Sequence, residues 1–318
     1  MALIHAALLA LLLTGLPVAA EGPRVTVRAE AGLAPQARRL AARAERDLAR
    51  IEGDLDGLPR VDRVEVRLVK HMEDVAAAAP AGRGAPVWAA GTAYPDAGVV
   101  VVAARGRRGE LLDVEQTLSH ELAHVALARA LGPGRVPRWL TEGFAYLHSS
   151  DFSWGRAQTL MGAVMGRRLI PLGALDAAFP AAEDAAALAY AESYDFVAFL
   201  ARRGRWQDER DDGSRAAFQQ LLAELATGVP LEQAARDAFG RGLLDLEREW
   251  ADDLRTRYLW YPIGLGATLL WVGAALLLVL GWARRRRQRR RILAQWARDE
   301  GPEPAPAAPT ASTARRAP

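Results

Sequence analysis

The feature that most constrains this 318-residue chain is five residues long: His120-Glu121-Leu122-Ala123-His124. In a helix, two histidines four positions apart point the same way, about 40° apart around the axis and one turn apart along it. Imidazoles so placed can meet one metal ion at ~2.0–2.1 Å each, and zinc suits them. Glu121, rotated by about 100° from His120, does not easily join the same tetrahedron but can reach a water on the open side of the metal. The chain has only five histidines, which argues against two solvated helix histidines meeting this spacing by chance. Leu111, Val114, Leu118, Leu122 and Val125 predict an apolar helix face turned to a sheet, leaving the histidines on a cleft side.

A catalytic zinc site uses three protein ligands and keeps one position for water. The third candidate is Glu142 in Pro137-Arg138-Trp139-Leu140-Thr141-Glu142-Gly143. A turn rich in glycine and proline at 132–137 lets its helix fold back beside the first. The combination of His120-Glu121-x-x-His124 with Trp139-Leu140-x-Glu142-Gly143 resembles the gluzincin metallopeptidases, the group of thermolysin and the aminopeptidase-N-like enzymes, and within it the peptidase MA-like domains. The resemblance spans roughly residues 60–255. It implies zinc held by His120, His124 and Glu142, with Glu121 as general base in peptide hydrolysis. Downstream, Ala189 to Val197 resembles the segment where aminopeptidase-like members keep an oxyanion-stabilising tyrosine; Tyr190 matches it, with Tyr194 one turn on as competitor.

Two departures from the family pattern bear on specificity. Thermolysin-like members place an acidic residue four positions after the third ligand, where this chain has Tyr146. The aminopeptidase Gly-x-Met-Glu-Asn element is absent, which points to cleavage within a peptide. An edge strand at 87–93 or 99–103 is the candidate to hold such a peptide by strand addition.

The absence of cysteine excludes a disulfide framework, Cys-ligated metal and a thiol nucleophile. Residues 283–318 hold ten Arg against Asp299, Glu300 and Glu303, a charge of +7; with a total of +3 and none in residues 1–20, residues 21–282 carry −4. The basic character belongs to the tail, and the folded part is not expected to bind nucleic acid.

Apolar segments frame the chain. Leu3 to Leu13, followed by Gly15, Pro17 and small residues to Ala20, has the layout of a signal peptide over 1–20, although no Lys or Arg precedes it; an uncleaved anchor is the alternative. Leu259 to Trp282 is 24 residues without a charge, with Arg284–Arg287 and Arg289–Arg291 directly after. This predicts one C-terminal transmembrane helix at 258–282, with the lipid bilayer as partner and a basic, partly disordered cytoplasmic tail at 283–318. The domain at 21–257 would then be extracytoplasmic at the cell membrane.

Between these segments, alternation and helical spacing predict strands first and helices afterwards: strands near 25–29, 61–69, 87–93 and 99–103 and helices at 34–55, 73–79, 110–131, 139–150, 154–168, 183–203, 214–227, 231–239 and 243–257. The expected class is α+β, a small mixed sheet packed on a helical half in the zincin manner, plus the membrane helix. His71 and His148, without partners at metal spacing, read as surface or loop histidines; Trp139 reads as a packing anchor behind Glu142, and the charge runs at 202–205 and 209–212 as a solvated loop.

The expected activity is membrane-anchored, zinc-dependent peptide hydrolysis, with a peptide or protein as substrate and oligomeric state undetermined. The alternatives are a catalytically inactive peptidase-like binding or signalling module, or a zinc hydrolase acting on a non-peptide bond. The intact set His120, Glu121, His124 and Glu142 argues against decay to a mere binding module.

Overall fold

The computed structural model describes residues 15–134, 136–149, 154–177, 179, 183–203 and 215–299, without the side chains of 176–177, 183–185, 259–270 and 294–299. The chain divides into two compact units, Met1–Leu259 and Trp260–Pro318.

The first unit is built on a five-stranded sheet of order β1-β2-β3-β5-β4. The strands are β1 (Val18–Glu21), β2 (Val25–Ala29), β3 (Val64–His71), β4 (Gly91–Tyr94) and β5 (Val99–Arg105). β2, β3 and β5 run parallel, and the two edge strands β1 and β4 are antiparallel to their neighbours, so the sheet is mixed. β5 shows why its unbroken valine run belongs in the interior. Val100 and Val102 enter the main core on one face, while Val99, Val101 and Ala103 join Val69, Val75 and Tyr94 on the other. A strand covered on both faces reads as continuously apolar rather than alternating.

Helix α1 (Ala34–Gly53) lays Leu40, Ala44, Leu48 and Ile51 on the main-core face, all at or below 1 % exposure. Beside it lies α2 (Val114–Leu131), whose Leu118 and Leu122 are fully buried. The remaining helices follow: α3 (Arg138–Ser149), α4 (Trp154–Met165), α5 (Leu172–Ala177), α6 (Glu183–Arg202), α7 (Ala216–Ala226), α8 (Leu231–Phe239) and α9 (Leu243–Arg255). Trp139 is buried with its ring edge-on to Phe196 of α6, at 5.1 Å between centroids, as a packing anchor should be.

Several expectations change. Residues 18–20, expected at the end of a signal peptide, form β1, and Ala19 and Ala20 pack against the core. A boundary after Ala20 would cut this strand; residues 1–14 lie outside the described residues. Leu111 is exposed and bridges to Arg105, so the apolar face of α2 starts at Val114. The expected helix at 73–79 shrinks to a 3-10 turn at Met72–Asp74. His148 is no surface histidine. It is buried at the end of α3, with Nε2 3.1 Å from Asp54 Oδ2 and Nδ1 3.2 Å from Arg50 Nη1. The charge runs at 202–205 and 209–212 fall mostly outside the described residues, but Arg203 pairs with Glu249.

The second unit contains α10, which runs unbroken for 39 residues from Tyr261 to Asp299. Among the described residues no helix is long and apolar enough to cross a membrane, which overturns the transmembrane helix expected at 258–282. The same unbroken helix carries Arg284–Arg287 and Arg289–Arg291. The bilayer partner and the membrane placement lose the support of that span. The expected disorder at the chain's end lies outside the described residues.

Candidate metal centre

The centre is assembled by three helices and the edge strand. Asp113 caps α2, its carboxylate accepting the Gln116 N–H at 2.9 Å, and the helix ends at Gly132, whose φ of 66° suits glycine. The chain then turns back so that α3 lies beside α2. At Gly143, next to Glu142, α3 meets α6 backbone to backbone: a Cβ there would stand 2.3 Å from the Ser193 carbonyl oxygen and 2.5 Å from Val197 Cγ2. This close approach sets Glu142 on α3 against Tyr190 on α6.

Helix α1 ties both ligand-bearing helices from behind. Ser119, adjacent to His120, donates its hydroxyl to Asp47 at 2.5 Å, and both residues are buried. Arg43 and Arg50 flank the same carboxylate at 2.9 and 3.3 Å. Arg50 also donates to the His148 carbonyl at 2.5 Å, anchoring the end of α3.

These supports bring His120 Nε2, His124 Nε2 and Glu142 Oε2 together. The two nitrogens are 3.2 Å apart, and each is 3.7 Å from the carboxylate oxygen. Adjacent ligands of a tetrahedral zinc ion with 2.0–2.1 Å bonds lie about 3.4 Å apart, so the set fits the ion. Its donor chemistry fits as well. Burial, with the neighbouring His120 charge, pushes the His124 imidazole down to about 4, leaving a lone pair free to ligate. Burial alone would raise Glu142, but the hydrogen bond from His120 and the charges of His124, His120 and Arg138 outweigh it and hold the carboxyl below its usual range.

Glu121 is buried beside this group and touches β4. Burial pushes its carboxyl up to about 7; the charge of His120 opposes this, that of Glu142 adds to it, and the Ala93 N–H, hydrogen-bonded to the carboxylate, opposes it. The strand lies close: a Cβ on Gly91 would stand 2.6 Å from Thr117 Cγ2 and 3.1 Å from Glu121 Cγ. β4 is the sheet edge, whereas β5 lies between β3 and β4, so only the first of the two expected edge strands is an edge. The Ala103 N–H bonds to the Ala90 carbonyl across the ladder. Antiparallel alternation then turns the backbone groups of Gly91 and Ala93 away from β5, toward the cleft.

Of the two candidate tyrosines, Tyr190 lines the roughly 960 Å³ cleft, and Tyr194 does not. The Tyr190 hydroxyl receives a hydrogen bond from Arg138 at 3.5 Å, and Arg138 sits 3.6 Å from Glu142. Tyr194 stacks under Arg156, whose guanidinium carbon is 4.3 Å from the ring centroid. Tyr146, noted in the sequence only as a departure from a family pattern, packs edge-on to His120 at 4.6 Å. Burial raises its phenol to about 12, and the charges of Glu142 and Tyr190 add to that. Its position one turn after Glu142 was the signal that could have placed it in the cleft. Arg138, one turn before Glu142, carried the same signal; Arg156 had none, because its place depends on how separate helices meet.

The histidine pair on α2, the glutamate on the returning α3 and the buried glutamate against an edge strand can together hold a metal and move a proton beside it. No curated protein matches the chain. Residues 73–256, more than half of the chain, match the family described as the peptidase MA superfamily, and this stretch contains the whole centre. By this match the chain belongs to the peptidase MA superfamily.

Proposed function

We propose that this protein is a zinc-dependent metallopeptidase hydrolysing peptide bonds, with His120, His124 and Glu142 as ligands and Glu121 as general base. The observation that carries this reading is the convergence of three donor atoms within 3.7 Å of one another, with the Glu121 carboxylate beside them. When bound, zinc supplies Lewis-acid polarisation of a carbonyl and acidifies water.

The chain's own residues do the rest. An extended peptide lies along β4, pairing with the outward N–H and carbonyl of Gly91 and with the carbonyl of Ala93, whose N–H is held by Glu121. The buried Glu121 carboxylate, steadied by the Ala93 N–H, takes a proton from the attacking water and delivers it to the leaving amine nitrogen. The Tyr190 hydroxyl donates to the oxygen that gains charge as the carbonyl carbon becomes tetrahedral.

The test is zinc content per chain together with cleavage of a mixed peptide library by the protein and by Glu121→Gln. Zinc near one per chain, with cleavage lost in the variant, is the expected outcome. Stoichiometric zinc without cleavage by the unaltered chain would favour the inactive binding module, and absence of zinc would sink the reading.

A further inference from the structure

The cleft runs past the metal centre on both sides. A Cβ on Gly91 would meet Thr117 and Glu121, and the Ala93 N–H reaches the Glu121 carboxylate, so β4 and α2 advance side by side in the same direction. Two strand residues rise about 6.6 Å and four helical residues about 6 Å, which keeps the two elements in step. The residues of α2 that line the cleft extend from Gln116 to Leu131, about 22 Å of helical rise and room for six or seven extended residues. His120 and His124 lie inside that length, so an extended chain continues beyond the reacting bond at both ends.

Before Gly91 the cleft is bounded by a turn, Pro86 to Ala89, whose Trp88 lines it. Trp88 is 66 % exposed and, among the described residues, has neither a ring contact nor a hydrogen bond from its indole. Tryptophan is on average a deeply packed side chain, and a loose loop does not account for this one. The Ala89 N–H bonds to the Pro86 carbonyl at 3.0 Å, Arg107 donates to the Val87 carbonyl at 2.7 Å, and the Ala103 N–H holds the Ala90 carbonyl to β5 at 2.9 Å. Ala89 itself is buried. The backbone on both sides of the indole is therefore fixed, and an apolar surface already in place costs little ordering entropy to bind against. Val87, on the same turn, is as exposed but does not line the cleft.

We propose that Trp88 is a specificity-determining residue that receives an apolar side chain of a peptide extended along β4, on the Gly91 side of the bond at the metal centre. The inference rests on the peptidase reading for its substrate, but binding tests it without turnover. Side chains of an added strand alternate between its two faces, so one position of the peptide meets the indole while its immediate neighbours point away. Covering about half of a leucine or phenylalanine side chain on the ring corresponds to about a tenfold gain in affinity.

The experiment titrates the full chain carrying Glu121→Gln, supplied with zinc, with labelled nonapeptides of glycine, serine and glutamine, read by fluorescence anisotropy. One leucine or phenylalanine is moved through every position of the peptide. Binding about tenfold tighter at one position than for the peptide without it is expected, with little dependence on salt because no charge takes part. Trp88→Ala should abolish the position dependence, Trp88→Phe should keep most of it, and Val87→Ala should leave it intact. Zinc content and Tm should agree among the three, since both side chains are exposed.

Equal affinity at every position, or no binding at all, overturns the proposal. A position dependence that survives Trp88→Ala, or that is lost equally in Val87→Ala, also overturns it. Failure of the unaltered chain to cleave any of these peptides would count against the peptidase reading alone, because the apolar preference is measured by binding.

Discussion

Gly143 and Ser193 bring two helices into backbone contact directly behind Glu142, the proposed third metal ligand. A Cβ at Gly143 would lie 2.3 Å from the Ser193 carbonyl oxygen and 2.8 Å from its carbonyl carbon, and neither atom can swing aside as a side-chain tip would. Gly143→Ala must therefore push α3 from α6, which separates Glu142 from Tyr190. Overpacking of this kind costs about 1–3 kcal/mol, and the displaced ligand adds a loss of metal affinity. Thermal unfolding and zinc titration of the variant should show a lower Tm and weaker zinc binding together. A variant with unchanged zinc affinity would show that the two helices can part without moving Glu142.

Tyr190 and Tyr146 both face the cleft, and only one of them has a hydroxyl partnered by Arg138. If Tyr190 donates to the developing oxyanion, Tyr190→Phe lowers kcat by about 10²–10³ with little change in KM and none in zinc content. Tyr146→Phe keeps the ring that packs on His120 and should cost much less. Steady-state kinetics of the two variants decide the matter, and a larger kcat loss in Tyr146→Phe would transfer the role.

Glu192 is fully buried on α6 and accepts the Ile170 N–H through both oxygens, at 3.1 and 3.2 Å. Burial pushes its carboxyl up to about 8; the Ile170 N–H opposes this and the charge of Glu247 adds to it. The folded state thus keeps a proton that the unfolded chain releases near its ordinary value of 4.5. Stability from this group is fully present below that value and is lost as pH rises through about 8, at up to about 1.4 kcal/mol per pH unit. Glu192→Gln stays neutral throughout, so its Tm should fall less between pH 5 and 8.5 than that of the unaltered protein. Parallel Tm–pH curves would mean that Glu192 is ionised in the fold.

Local patterns revealed what local forces decide. The apolar spacing of Leu40, Ala44, Leu48 and Ile51 marks α1, because one face of a helix must meet the core. His120 and His124 needed only the helical repeat to be brought together. β1 was hidden, since Val18–Glu21 becomes a strand only by pairing with β2, and its residues continue a leader-like apolar run. His148 is buried by Asp54 and Arg50, almost a hundred positions earlier in the chain. Arg156 reaches the cleft only once α4 is docked on the neighbouring helices. The C-terminal stretch misled because an uncharged run followed by arginines reads as a span with a basic flank, whereas the described helix continues unbroken through those arginines.

Gly91 offers a test of how the edge strand serves Glu121. Its missing side chain lets β4 lie against α2, where an added Cβ would come 2.6 Å from Thr117 Cγ2 and 3.1 Å from Glu121 Cγ. In Gly91→Ala the strand must retreat or the Glu121 side chain must shift, and either change disturbs the Ala93 N–H contact that holds the carboxylate. The metal ligands are not touched, so zinc content should stay constant while kcat/KM falls by about tenfold, the effect of misplacing a general base by a fraction of an ångström. The closest obstacle is one methyl group, and Thr117→Ser removes it. The double variant should therefore recover most of the lost activity, with Thr117→Ser alone near the unaltered rate. Neighbouring residues in contact show such non-additive effects, and a double-mutant cycle measures them. If the losses simply add, the damage in Gly91→Ala does not pass through Thr117, and the strand's own backbone freedom becomes the cause to pursue.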